Sequence, residues 1–268
     1  MKWGLHESLT AKDFWSSLSL AGEWVTGDFD QLMGEQLQGI FVNPETAMGI
    51  ESKFKEVPRA VFECRFVDFI KTQKSHISPS SSMRLHGEEF FSLGTRILDS
   101  GKWAYITGYG PWSQLFAVLA VSKGFSQLRI VVESPDEAIP MIAHLKKFCF
   151  NVEIEALRFT DLTLQPNNGS LLVNSVDPGA NLEFLEDLAY LNFLSPGALL
   201  IETHVSPPGA LANPLLTEAK NSKLAVLDGE TTQAFAEYHV LRDNLGVING
   251  IGDFQQYQLR RRQFFATK

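Results

Sequence analysis

Residues 107–120, TGYGPWSQLFAVLA, set a glycine-rich turn at the start of an apolar helix, and their reading decides the fold. Gly108, Gly110 and the small Ser113 give the spacing G-x-G-x-x-small. The preceding run KWAYITG (102–108) reads as a strand, and SQLFAVLAVSKG (113–124) as a helix closed by Gly124. In that context the glycines allow a tight turn and close backbone approach, and the helix N-terminus attracts a pyrophosphate. Two residues weigh against the reading. Pro111 brings no N–H, and a lost hydrogen bond to a charged group costs about 1.5–3 kcal/mol. Trp112 is expected to cover the pyrophosphate seat. Proline is acceptable at a first helical position, so the turn is predicted to survive as fold with weakened chemistry.

Outward from this turn the pattern alternates. QLRIVVES (127–134), NVEIEAL (151–157), GSLLVNSV (169–176), GALLIETHV (197–205) and KLAVLDG (223–229) read as strands. PDEAIPMIAHLKKF (135–148), ANLEFLEDLAYLN (180–192) and NPLLTEAK (213–220) have helical spacing. Strands separated by helices of this length predict parallel βαβ units and a doubly wound sheet. Before residue 102, GEWVTGDF (22–29) and LQGIFVN (37–43) read as strands, SHISPSSSMRLHG (75–87) as a loop, and GEEFFSLGTRILDSG (87–101) as a helix. GIESKFKEV (49–57) reads as a core-facing amphipathic helix. TTQAFAEYHVLRDNLG (231–246) and DFQQYQLRRRQFF (253–265) read as terminal helices. The fold class is therefore α/β with two domains. An N-terminal α/β substrate-binding domain is expected over 1–101 and a Rossmann-like domain over 102–228. Residues 229–268 are expected to return onto the first.

With 268 residues, 44% of them hydrophobic, the chain can bury a substantial core. A formal charge of −8 argues against a nucleic-acid partner. The basic run LRRRQ (259–263) reads as a solvated helix face. Two cysteines without C-x-x-C spacing suit a reducing cytoplasm. Charged residues at the N-terminus argue against a signal peptide, and no apolar run approaches the ~18 residues of a membrane span. The six histidines show no paired ligand spacing, so no metal is expected. Neither a G-x-S-x-G elbow nor a Walker-type loop occurs. A small-molecule ligand is the expected partner, for a monomer or a homodimer.

Motif order adds a resemblance. SLTAKDFW (8–15) is similar to S-L-S-P-x-x-H-N, GIFVNP (39–44) to G-F-N-V-T-x-P, and GYGPWSQLFAVLA (108–120) to G-x-G-G-A-x-R-A. NSVDPG (174–179) is similar to N-A-T-P-x-G, NPLLTEAK (213–220) to T-P-L-L-x-x-A-K, and LDGETTQAFAEYHVLRDNLG (227–246) to a closing D-G…Q-A helix. In this order the chain resembles the shikimate dehydrogenase family over nearly its full length. The resemblance implies reversible hydride transfer between a nicotinamide cofactor and a cyclohexene hydroxy acid. It implies Ser8, Thr10, Asn43 and Gln233 as substrate-binding, the first two through the substrate carboxylate. It implies Gly108, Gly110, Ser113, Asn174 and Ser175 as cofactor-binding. Glu133, at the end of the second strand, suits a ribose 2′-hydroxyl and repels a 2′-phosphate. ESP (133–135) also replaces the family's phosphate-reading Asn-Arg-Ser/Thr. NAD is favoured over NADP, and a chain without bound cofactor stays open.

The catalytic motifs depart from the family. Glu45, Thr46 and Ala47 fall where its lysine stands, and Lys53 and Lys55 lie roughly two to three helical turns further on. HGEEFF (86–91) replaces N-T-D-G, leaving Glu89 as the candidate catalytic carboxylate, and the asparagine of A-V-N-T is lost within SPSSSM (78–83). A missing acid/base costs ~10²–10⁴ in rate. Three readings stay open: a degraded shikimate or quinate dehydrogenase, a lapsed enzyme kept as a binding or regulatory module, and a different dehydrogenase on the same scaffold. For Ser8 and Thr10 the alternative role is helix capping.

Overall fold

The computed structural model describes residues 1–18, 20, 22–73, 76–94, 98–176, 190–205, 213–246, 248 and 251–267. The chain divides into two compact units, 1–86 with 234–268, and 87–233.

The first unit contains β1 (Lys2–His6), α1 (Lys12–Ser17), β2 (Glu23–Gly27), α2 (Phe29–Met33), β3 (Gly39–Phe41), α3 (Arg59–Cys64), β4 (Phe69–Gln73), β5 (His76–Ser80) and α4 (Ser82–Leu85). Its sheet runs β2-β1-β3-β4-β5. β1 is parallel to β2 and β3, while β4 is antiparallel to both β3 and β5. The carboxyl ends of β1, β3 and β5 therefore share one edge with the start of β4.

The second unit contains α5 (Gly87–Gly94), β6 (Trp103–Thr107), α6 (Pro111–Ser122), β7 (Gln127–Val132), α7 (Pro135–Leu145), β8 (Glu153–Arg158), β9 (Gly169–Asn174), β10 (Leu194–Glu202), α8 (Pro214–Asn221) and β11 (Ala225–Leu227). Then α9 (Gly229–Leu245) carries the chain back, and α10 (Phe254–Ala266) completes the first unit. The six strands are all parallel, in the order β11-β10-β9-β6-β7-β8. That is the doubly wound order, and its direction reverses between β6 and β9. Strands covered on both faces need apolar runs rather than alternation, and WAYIT, QLRIVV and GSLLVN meet that need. Ten of the twelve α6 residues are buried, which places this helix against the sheet centre.

Several expectations change. Residues 75–87 are not a loop: β5 and α4 occupy most of them, because Ser78 and Ser80 pair with Lys71 and Phe69 across the hairpin. The Ser- and Pro-rich composition concealed that pairing. Residues 49–57 form only a 3₁₀ turn, Ile50–Lys53. The helix from Gly87 runs to Gly94 and belongs to the second unit, and 98–101 is a turn. The helix expected over 180–192 lies outside the described residues up to 189, and Leu191–Phe193 is a 3₁₀ turn. No described helix is long and apolar enough to cross a membrane.

The basic run is the clearest correction. Arg260 and Arg262 are exposed, but Arg261 is buried and forks onto Glu237, Nε to Oε2 at 2.7 Å and Nη2 to Oε1 at 2.9 Å. The Tyr257 hydroxyl also donates to Glu237 (2.9 Å) and accepts from the Trp15 indole (2.7 Å). Burial pushes the Tyr257 phenol well above its usual range. One carboxylate thus joins α1, α9 and α10 inside the aromatic core of Phe14, Trp15, Phe41 and Tyr238. Glu237→Ala leaves a buried guanidinium unpaired and should lower the unfolding free energy by about 3–5 kcal/mol. Arg260→Ala, on the exposed face, should change it by less than about 0.5 kcal/mol. Urea denaturation compares the two, and equal small losses would contradict the account.

Candidate functional site

In doubly wound sheets ligands bind beyond the carboxyl ends of the strands, at the point where strand order reverses. Here β6 and β9 flank that point, and their ends carry Gly108–Ser113 and Asn174–Ser175. Gly108 has φ +77°, a left-handed conformation that glycine adopts without steric cost. Its N–H donates to the Val131 carbonyl (2.8 Å), tying the turn to β7. Gly110 is the extended N-cap of α6, and a Cβ built on it meets no atom within 4 Å. Open space above a backbone at a helix N-terminus is what an approaching phosphate requires.

The two residues that weighed against this reading behave differently. Pro111 is the first residue of α6, where its fixed φ suits the helix and its missing N–H has no intrahelical role. The first bond back is from the Gln114 amide to the Gly110 carbonyl (3.1 Å), so the Trp112 and Ser113 amides have no intrahelical acceptor. The expectation that Trp112 covers the seat is overturned. Its side chain is 3% exposed and stacks on Phe116, one turn along the helix, with centroids 6.1 Å apart.

A buried polar chain fixes these strand ends. Glu202, fully buried at the end of β10, accepts from the side chains of Asn174 (2.7 Å) and Asn213 (3.2 Å). It also accepts from the amides of Thr203 (2.9 Å) and His204 (3.0 Å). Asn174 Oδ1 accepts from the Thr107 hydroxyl (2.8 Å), whose oxygen accepts the Ser175 amide (3.0 Å). The hydroxyls of Ser113 and Ser175 lie 2.5 Å apart, hydrogen-bonded to one another, and both lie within hydrogen-bond distance of the Thr107 carbonyl. Ser113, Asn174 and Ser175 thus form the floor under Gly108. Glu133 is exposed one residue past β7. Gln233 donates from Nε2 to the Thr203 carbonyl (2.8 Å), and Glu89 is exposed on α5.

The first unit gathers a second polar group at the shared strand edge. His6 ends β1, and its Nδ1 lies 2.7 Å from the Ser8 hydroxyl and accepts the Ser8 amide (3.3 Å). With Nδ1 an acceptor, the neutral ring carries its proton on Nε2. The Ser8 hydroxyl reaches Thr46 Oγ1 (3.0 Å), and Asn43 Nδ2 donates to the Ser8 carbonyl (3.3 Å). Asn43 Oδ1 accepts the Glu45 amide (3.0 Å), so Asn43 pins the loop after β3. Thr10 is exposed. Neither hydroxyl caps α1, whose N-cap is Ala11 with no side-chain bond. Lys53 does not join this group: its ammonium sits 4.8 Å over the Phe29 ring and 3.8 Å from Asp30. Lys55 is exposed. Asp68, just before β4, is buried and accepts the amides of Ser82 (2.7 Å) and Met83 (3.1 Å). Burial pushes its carboxyl up to about 7. Sequence reasoning missed His6, Thr46, Asp68 and Glu202. The H-x-S spacing at a strand end was the one local signal available, for His6.

No protein-family model and no curated protein sequence matches the chain. Solved structures do. Shikimate 5-dehydrogenase from Listeria monocytogenes, in complex with shikimate and NAD, aligns with TM-score 0.74 at 13% identity, covering 98% of this chain and 95% of that one. Quinate dehydrogenase from Corynebacterium glutamicum, in complex with NAD, gives 0.74 at 12%, covering 98% and 99%. Ligand-free 5-ketofructose reductase from Gluconobacter gives 0.72 at 15%, covering 98% of each. The fold is that of the shikimate and quinate dehydrogenases.

The two glycines of the turn should respond differently to a methyl group. Gly108→Ala forces a left-handed alanine and should cost about 1–2 kcal/mol. Gly110→Ala enters open space and should cost less than about 0.5 kcal/mol. Thermal denaturation measures both, and an equal cost would contradict the turn geometry.

Proposed function

We propose that the chain is an oxidoreductase that binds a nicotinamide dinucleotide at the Gly108–Gly110 turn and a shikimate- or quinate-like hydroxy acid in its first unit. One observation carries the proposal: open space lies over Gly110, at the sheet's reversal point and at the N-terminus of α6, where the helix dipole favours an anion. The neighbouring folds in complex with NAD and shikimate support the ligand classes. Bound there, the nicotinamide ring would supply or take up the hydride. Gly108 and Gly110 bring the backbone to the dinucleotide, Ser113, Asn174 and Ser175 support that turn from beneath, and Glu133 selects NAD by repelling a 2′-phosphate.

Ser8 and Thr10 bind the substrate carboxylate, with Asn43 fixing their loop, and Gln233 binds ring hydroxyls. Hydride transfer from an alcohol carbon also needs an acceptor for the hydroxyl proton. In place of the family's lysine, His6 takes that proton at Nδ1, its unprotonated nitrogen, by relay through the Ser8 hydroxyl that already bonds to it, and Glu89 is the less favoured candidate. A second reading, a binding module without turnover, draws on one observation: Lys53 is held at Phe29 and Asp30, away from the His6–Ser8–Thr46 group. We place the protein in a reducing cytoplasm, since Cys64 and Cys149 are both buried and form no disulfide.

Calorimetric titration with NADH and NADPH, each with and without shikimate, tests the proposal. NADH should bind in the micromolar range and NADPH at least tenfold more weakly, with Glu133→Ala narrowing the gap. Gly110→Val should abolish the NADH heat without lowering Tm. No heat with either nucleotide, from folded protein, would overturn the oxidoreductase reading. Binding of NADH and shikimate without turnover of any hydroxy acid would select the module.

A further inference from the structure

Away from the strand edges, three potential ligands meet in the first unit. His86 is the residue after α4, while His239 and Asp243 sit one turn apart on α9, at the i, i+4 spacing that puts two side chains on one face. One ligand atom from each lies within 4.8 Å of the others. His86 Nε2 is 3.1 and 3.2 Å from the Asp243 carboxylate oxygens, and the two imidazole rings lie 3.9 Å apart between centroids, tilted by 31°.

We propose that His86, His239 and Asp243 form a binding site for a divalent transition-metal ion of the zinc class. Two imidazoles and one carboxylate are the nitrogen-oxygen donor set that such ions prefer, whereas Mg²⁺ and Ca²⁺ take all-oxygen shells. With both imidazoles neutral, the set carries one negative charge, so a divalent ion compensates the carboxylate and leaves a net positive charge.

His239 is fully buried, and a histidine ligates a metal through its neutral imidazole. The side chains of His86 and Asp243 are 21% and 26% exposed, which leaves an entry path and room for a further ligand. Metal–nitrogen distances of about 2.0–2.1 Å place ligand atoms about 3.3 Å apart around a tetrahedral ion. The His86–Asp243 pair already meets that spacing. His239, whose ligand atom lies within 4.8 Å of the others, completes the set through a shift of about 1.5 Å. The ion would join residues remote in sequence, clasping the hairpin and α4 to α9. Its binding free energy would then add to stability.

The test is titration of the chelator-stripped full chain with Zn²⁺ by calorimetry and with Co²⁺ by visible absorption. The expected result is one equivalent of each ion, a Co²⁺ d–d spectrum of low coordination number, and a raised Tm with Zn²⁺. His86→Ala and Asp243→Asn, both at partly exposed positions, should each weaken binding by more than about 100-fold. Retention of Tm in the metal-free variants separates ligand loss from misfolding. A chain that binds neither ion stoichiometrically overturns the proposal. So does binding that persists at unchanged affinity in both variants, since the ion would then reside on other groups.

Discussion

A single buried carboxylate organises the second unit. Glu202 sits at the end of β10 with no solvent contact, and its four donors come from β9, from the chain leaving β10, and from the N-cap of α8. Burying such a group without these donors would cost several kcal/mol. Its satisfied state therefore fixes where the strand ends stand. Through Asn174 and Thr107 the same network reaches the Gly108 turn. The turn is held from beneath by hydrogen bonds and left open above Gly110.

Much of the second unit was legible in the sequence because its signals are local. Apolar runs, helical spacing and the glycines of the turn each speak within a dozen residues. Trp112 was misread because residue type does not reveal direction. At the second position of α6 its side chain swings back along the helix onto Phe116, and the turn keeps its opening. Arg261 was misread for a related reason. It shares its run with two solvated arginines, and only the approach of Glu237 from α9 marks it as buried. The β4–β5 hairpin was hidden by serines and a proline that read as loop until Lys71 and Phe69 pair with them.

The candidate site was legible in part. Ser8 and Asn43 do meet, through the Asn43 amide and the Ser8 carbonyl, and Thr46 joins them. Only the H-x-S spacing marked His6, and helical periodicity did not, because its partner lies two residues along a turn rather than one helical turn away. The triad of His86, His239 and Asp243 is assembled by tertiary packing of segments far apart in the chain, so histidine spacing alone was silent about it. Both cases place acid/base or ligating groups where local periodicity carries no information.

The central claim is that the turn between β6 and α6 seats a pyrophosphate despite Pro111 and Trp112. The most direct measurement is a crystal structure grown with saturating NADH. The account requires the pyrophosphate above Gly110, hydrogen-bonded to the amides of Trp112 and Ser113, with Trp112 still stacked on Phe116. A dinucleotide bound elsewhere, or Trp112 turned out into the space above Gly110, would contradict it.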